Sequence, residues 1–300
     1  GCAELAQVIE HDALTAAIAS RARETGVELI AGECVGVHAE TDAVLAELSD
    51  RRLLGARLLI AADGVKSAVR EAAGLSATPH AYAQSGVVAN FSTDAPHRGV
   101  ARQWFLRDGS ILALLPLAAS HSDAPGAVSM VWSLPHERAQ VLCALDPAAL
   151  LAAVNAVTAP SPRLSRVLSP AQRFPLTLLR LADPVAGRVL AVGDAAHAMH
   201  PLAGQGVNVG LADARCLQGV WQRAGRVDAD AGHPLLTGRY RRERYGPTFA
   251  MQLTTDAMMR LYNRFDHPLL MAAGDAGMRL FGRLPAFRRS LSSAAVHQAL

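Results

Sequence analysis

Apolar positions at the start of the chain recur first at helical and then at strand spacing. Leu14, Ala17, Ile18 and Ala22 share one face of a helix that Asp12 is placed to cap and Gly26 to close. The short apolar run Val27–Ile30 then predicts a buried strand. Two more strands are expected at Cys34–His38 and Ala43–Leu48. After Ser49 and Asp50, Leu53–Ala61 ends in the run ARLLIA, an apolar strand leading into Asp63 and Gly64.

The texture changes between 77 and 171. Strand-like runs at Val87–Phe91, Ala101–Leu106, Ser110–Leu115 and Val128–Ser133 are separated by glycine, proline and aspartate. Residues 136–158 read as helices, the second opened by Asp146-Pro147. Phe174–Leu181 begins a return to the first pattern, Arg188–Val192 is another short apolar strand, and 206–223 is a helix. Beyond about 237 the chain reads as helical, interrupted at Pro247, Pro268 and Pro285. The pattern predicts an α/β chain in which 1–76 and 172–236 form one domain. Residues 77–171 are inserted as a separate sheet with helices, and 237–300 form a helical end.

Composition narrows the class. At 300 residues, 51% hydrophobic and 18% charged, the chain is long enough for about two packed domains and too apolar for disorder. No apolar run approaches the roughly 18–20 residues of a bilayer span. The best, Ile111–Ala119, contains Pro116, and the start lacks the basic-then-apolar order of a signal peptide. Cys2, Cys34, Cys143 and Cys216 lie far apart with no CxxC, so reduced thiols in a cytoplasmic setting are expected rather than a zinc ribbon or disulfide scaffold. Charge is uneven: 1–238 carry 19 basic and 22 acidic residues, whereas 239–300 carry 10 and 4. That basic end suits either an anionic lipid surface, an acidic partner or a solvated helix face. Nucleic-acid binding is not expected, because no basic stripe with interleaved aromatics occurs.

The chemistry concentrates in two places. In Val189–Leu217, VLAVGDAAHAMHPLAGQGVNVGLADARCL, a strand ends at Gly193-Asp194, a loop follows, and Gly204-Gln205-Gly206 opens a helix. This order sets a carboxylate at the end of a strand, where a ribose-like diol can donate to it. It also sets a glycine turn with free N–H groups at the positive end of a helix. The second place is Ala62-Asp63-Gly64 followed by Ser67 and Arg70, about 130 residues upstream. Taken alone it reads as a helix cap with an exposed arginine, and Ser67, with no base in its motif, as a cap rather than a nucleophile. His197 and His200 have a spacing that metal sites use, but no carboxylate or cysteine cluster accompanies them. They read as loop-packing histidines, and no metal is expected. Trp104, Phe105 and Trp132 read as pocket walls or as core, and Met251, Met258 and Met259 as helix core.

ADGVKSAVR resembles the "DG" motif, and VGDAAHAMHPLAGQGVN the "GD" motif, of single-component FAD-dependent aromatic hydroxylases. Within that superfamily HPLAGQGVN, LALLPL at 112–117, VWS at 131–133 and QRFPL at 172–176 are most similar to the ubiquinone-biosynthesis hydroxylases. The resemblance covers nearly the whole chain, the last fifty or so residues loosely. It implies a Rossmann-like FAD-binding domain with an inserted β-sheet substrate domain and a C-terminal helical region. FAD is the implied cofactor, NADPH or NADH the electron donor, and the reaction a ring hydroxylation by O2 through a flavin C4a-hydroperoxide. The implied substrate is a polyprenylated phenol or quinol intermediate of ubiquinone. Association with the inner-membrane surface and with a ubiquinone-pathway assembly goes with it.

Such proteins begin with a strand–GxGxxG–helix unit that holds the ADP part of FAD. No GxGxxG string occurs in these 300 residues, so the expected domain lacks its first βαβ unit and the adenine pocket. By the same resemblance Gly193 and Asp194 serve the ribitol or pyrophosphate region. Gly204, Gln205 and Gly206 lie against the flavin pyrimidine, with Val207 and Asn208 in the first helical turn beside it. Pro201 shapes the adjoining loop, and Asp63, Gly64 and Arg70 form the FAD/NADPH pyrophosphate motif. No catalytic base is implied. Two alternatives stay open: a hydroxylase of a soluble aromatic substrate, and a non-catalytic partner in a biosynthetic complex.

Overall fold

The computed structural model describes residues 7–118, 124–159, 163–201, 204, 206–224 and 230–263, with side chains as far as Ala257. Helix α1 (His11–Glu24) precedes strands β1 (Cys34–Ala39), β2 (Val44–Leu48), β3 (Leu53–Ala56) and β4 (Leu59–Ala61), then the short helix α2 (Ala68–Ala72). The long strand β5 (Ala77–Thr93) leads into β6 (Arg102–Phe105), β7 (Ile111–Leu117) and β8 (Gly126–Pro135). Helices α3 (His136–Cys143) and α4 (Pro147–Thr158) come next, then β9 (Leu164–Val167) and β10 (Gln172–Leu181). The short strands β11 (Val185–Ala186), β12 (Val189–Ala191) and β13 (His197–Ala198) precede helices α5 (Gly206–Ala224) and α6 (Pro234–Asn263). The chain divides into two compact units at Leu29/Ile30, His80/Ala81 and Leu176/Thr177.

In the first unit β5, β8, β7 and β6 pair antiparallel in that order, and β9 adds to β5. Strand alternation puts Val87, Ala89 and Phe91 of β5 and Val128, Met130, Trp132 and Leu134 of β8 in one core with Leu142 of α3 and Leu150 and Val154 of α4. Asp146 caps α4 by accepting from the Ala149 N–H at 2.8 Å. Trp132 is therefore core, Trp104 packs at its edge, and Phe105 is exposed.

The start of the chain groups with this unit rather than with 30–80. There Glu10 accepts from Asn90 Nδ2 at 2.9 Å. Asp12 lies in the first turn of α1 instead of capping it, and no residue of the helix is buried. Val27–Ile30 is not a strand, and Val27 and Leu29 are 52% and 51% exposed. An apolar run becomes a buried strand only where neighbours offer ladder partners. Here the Val27 N–H instead donates to the Ala22 carbonyl at 2.9 Å, finishing the helix end.

In the second unit β1, β2 and β3 form an antiparallel sheet, while β12 runs parallel to β4 and carries β11 on its other edge. The strand expected over Ala56–Ala61 begins only at Leu59, because Leu53–Ala56 belongs to the other sheet and the chain changes sheets at Arg57-Leu58. β12 is buried on both faces, as parallel strands usually are. Val189 and Ala191 join a core with Val44, Ala61 and Val69, and Leu190 packs with Leu217 of α5 and Tyr240 of α6. Helix α6 continues through Pro247 instead of breaking there. Proline cannot donate to the Glu243 carbonyl, but that turn is exposed and water can take the bond. Pro268 and Pro285 lie outside the described residues.

Candidate functional site

Parallel pairing of β4 and β12 sets Leu59 beside Val189 and Ala61 beside Ala191, so both strands end at the same edge. The Val192 N–H extends the pairing to the Ala61 carbonyl at 3.0 Å. Segments about 130 residues apart in sequence therefore emerge side by side at the carboxyl ends of parallel strands, where α/β sheets bind ligands.

On the first loop, Asp63 accepts the Ser67 hydroxyl on Oδ1 and the Val69 N–H on Oδ2 at 3.2 Å. Burial opposes its charge, but these bonds hold the carboxyl below the usual carboxylate range. Ser67 caps α2 by accepting the Arg70 N–H at 2.9 Å, the role its motif predicts. Gly64 takes the left-handed turn at φ +86°. Arg70 is buried rather than exposed. Its Nη1 donates to the carbonyls of Val65 (2.9 Å) and Ala195 (3.2 Å), so one guanidinium ties the first loop to the second.

On the second loop, the Gly193 N–H donates to Asp213 Oδ2 at 2.8 Å. His197 Nε2 meets the same oxygen at 2.6 Å, and Arg244 Nε donates to Oδ1 at 2.6 Å. Asp213 has no exposed surface. Burial opposes its ionisation, yet His197, Arg244 and the Gly193 amide outweigh that and hold the carboxyl below the usual range. As a carboxylate it can only accept, so His197 carries its hydrogen on Nε2. Asp194, between these anchors, is exposed and takes no hydrogen bond from the described residues. Partial desolvation by the packed loop beneath raises its carboxyl, against a smaller opposing pull from His197. His200 is buried, and desolvation lowers it to about 4, so it is neutral near pH 7.

The Pro201 carbonyl accepts the Gly204 N–H at 3.0 Å, closing a turn that Gly204 makes at φ +61°. A Cβ added at Gly204 or at Gly206, the first residue of α5, would meet nothing within 4 Å among the described residues, so these leave the backbone at the positive helix end bare. Val207 and Asn208 are exposed on the first turn, and Gln205 lies outside the described residues. A Cβ on Gly210 of α5 would sit 3.4 Å from the Gly193 Cα, so helix and loop meet backbone to backbone. A further cleft is walled by Arg180, His197, Arg244, Tyr245, Phe249 and Gln252, and Asp194, Gly204 and Gly206 do not line it.

Sequence reasoning missed Asp213, Gly210 and Arg244. For Asp213 a signal existed: Val209, Asp213, Leu217 and Val220 make one buried stripe of α5, and an acid inside an apolar stripe needs buried partners.

The FAD binding domain family matches residues 3–255. The chain belongs to that family. This FAD-binding-domain chain is 33% identical over 267 residues to the ubiquinone hydroxylase UbiL of Rhodospirillum rubrum, covering 88% of this chain and 61% of that one. It is 35% identical over 258 residues to the mitochondrial ubiquinone biosynthesis monooxygenase COQ6 of Mus musculus, covering 75% of this chain and 53% of that one. The Diels-Alderase PyrE3 of pyrroindomycin biosynthesis shares the fold with a TM-score of 0.71 and 22% identity, over 96% of this chain and 60% of that one. The chain thus spans a little over half the length of these curated relatives.

The residues present fit the flavin half of FAD. Bare glycine backbone at a helix N-terminus suits an electron-rich ring edge, and an exposed carboxylate that no described residue hydrogen-bonds suits sugar-alcohol hydroxyls. Asp63 holds the first loop onto the start of α2, and Arg70 ties that loop to the second.

Proposed function

We propose that this chain supplies the flavin-facing loops of an FAD-dependent monooxygenase that hydroxylates the ring of a polyprenylated phenol or quinol in ubiquinone biosynthesis. One observation carries the reading: the parallel pair β4–β12 ends in the Asp63-Gly64 and Gly193-Asp194 turns, and Arg70 joins them. The names of UbiL and COQ6 support the pathway. When bound, FAD supplies the redox chemistry, taking electrons from NADPH or NADH and activating O2.

The chain's own residues bind and orient. Asp194 accepts hydroxyl hydrogens of the ribityl chain. Gly204 and Gly206, followed by Val207 and Asn208, bring N–H groups and the α5 dipole to the pyrimidine edge, where they favour negative charge without reorganising. Pro201 shapes the turn beside the ring, while Gly64 and Arg70 keep the first loop in register. The basic end, 239–300, suits peripheral docking at an anionic membrane surface and contact with other enzymes of the pathway. No helix among the described residues is long and apolar enough to cross a membrane.

FAD titration of the purified protein, followed by flavin fluorescence, tests the reading. Asp194→Ala is expected to raise the dissociation constant about tenfold or more with little change in thermal midpoint, since its carboxylate ties nothing together. Unchanged affinity would remove Asp194 from the site, and no binding by the parent protein would remove the flavin. NAD(P)H oxidation stimulated by a prenylated phenol and not by a soluble hydroxybenzoate supports the substrate. The reverse result favours a soluble aromatic substrate.

A further inference from the structure

We propose that Asp213 is the positioning residue of the Gly193–His197 loop and sets the orientation in which Asp194 meets a bound flavin nucleotide; this rests on the FAD reading above. The loop is short, and both of its ends are held by one oxygen. Oδ2 takes the Gly193 N–H at 2.8 Å and His197 Nε2 at 2.6 Å, with Asp194 between them. Oδ1 takes Arg244 Nε at 2.6 Å, and the Arg244 Nη2 donates to the Val209 carbonyl at 3.0 Å, which fastens the carboxylate to α5 and α6 together. Ala195 and Ala196 in the middle of the loop are packed in the core, but where Gly193 meets α5 its neighbour is Gly210, so no side chain locks that contact. The carboxylate that pins it is fully buried, so water cannot replace it.

Asparagine at position 213 does not satisfy all three donors. Asparagine keeps one acceptor oxygen and turns an NH2 toward donors on the other side, so Gly193 with His197, or Arg244, loses its partner. The loop should loosen, and Asp194 with it.

The test compares FAD affinity, the visible circular dichroism of bound flavin, and amide hydrogen exchange of residues 193–197 in the ligand-free protein. Asp213→Asn is expected to raise the FAD dissociation constant about tenfold, alter the flavin dichroism at saturation and speed exchange of the Gly193 amide. Asp230→Asn, which breaks an ion pair elsewhere in the same unit, serves as the stability control. It is expected to lower the thermal midpoint without changing affinity or dichroism. Should Asp213→Asn fail to fold, His197 decides: His197→Leu removes a donor to Oδ2 and weakens binding, and His197→Gln restores it to within about threefold. Parent-like affinity and exchange in Asp213→Asn, or equal affinities for the two His197 variants, would overturn the proposal. So would an equal loss of affinity in Asp230→Asn, which would reduce the effect to general destabilisation. If the parent protein binds no FAD, the flavin reading fails and takes the ligand part with it, while Gly193 exchange still decides whether Asp213 holds the loop.

Discussion

At Asp230 the Arg188 guanidinium supplies two hydrogen bonds of 2.7 Å, and the carboxyl titrates at about 2 instead of the ordinary 3.8. Arg188 also donates to the carbonyls of Thr41 and Arg57, so the pair ties the segment before α6 to the β-strands. A carboxyl whose folded pKa lies below its unfolded one stabilises the native state above the unfolded value and stops doing so as pH falls through the folded value. Asp230→Asn is therefore expected to lower the thermal midpoint near neutral pH, with the gap to the parent closing between about pH 4 and pH 2. Because Asp230 is partly exposed, the gap should be modest. A difference that persists undiminished at the acid end would show that the ion pair is not its source. The same scale separates residues that are readable in sequence from those that are not. Ser67 reveals its cap because its partner is three residues away. Asp213 falls within an apolar stripe of its helix, which says that it needs buried partners and not which ones, because those at 193, 197 and 244 become neighbours only on folding.

Helices and strands divide by where their stabilisation originates. The start of α4 is local: Asp146 accepts from Ala149 and Pro147 presets the first turn, both legible in the string Asp-Pro. Asp146→Ala is expected to cost about 1 kcal/mol, seen as a lower denaturant midpoint with an unchanged slope; no shift would mean the cap is redundant. Helix α1 is the opposite case. Leu14, Ala17, Ile18 and Ala22 have the period of an amphipathic helix, yet none is buried, since periodicity states which face could be covered and not that anything covers it. Pro247 marks a third kind of element. Its missing donor faces solvent, so α6 tolerates a residue that would end a helix packed on all sides.

For the molecule as a whole, charge is the property that a single experiment reads most directly. Residues 239–300 hold ten basic and four acidic side chains in a chain whose remainder is slightly acidic. Part of that charge is used internally, with Arg239 on Glu243 and Arg241 on Asp183. Cosedimentation with anionic vesicles is expected at low salt and should fall away near 1 M salt, where the screening length is about 3 Å. Equal binding to neutral vesicles would assign it to apolar contact instead. By itself the sequence determined the alternating strands of the inserted sheet, the helix caps at Ser67 and Asp146, the glycine turns at Gly64 and Gly204, and the motif strings that name the family. Each of these depends on residues close together along the chain. Only the tertiary structure decided that Val27–Ile30 stays exposed, that Leu53–Ala61 divides between two sheets, that Arg70 bridges two loops and that Asp213 is buried beneath one of them. Burial and parallel pairing require partners tens to more than a hundred residues away, and no local pattern states whether those partners arrive.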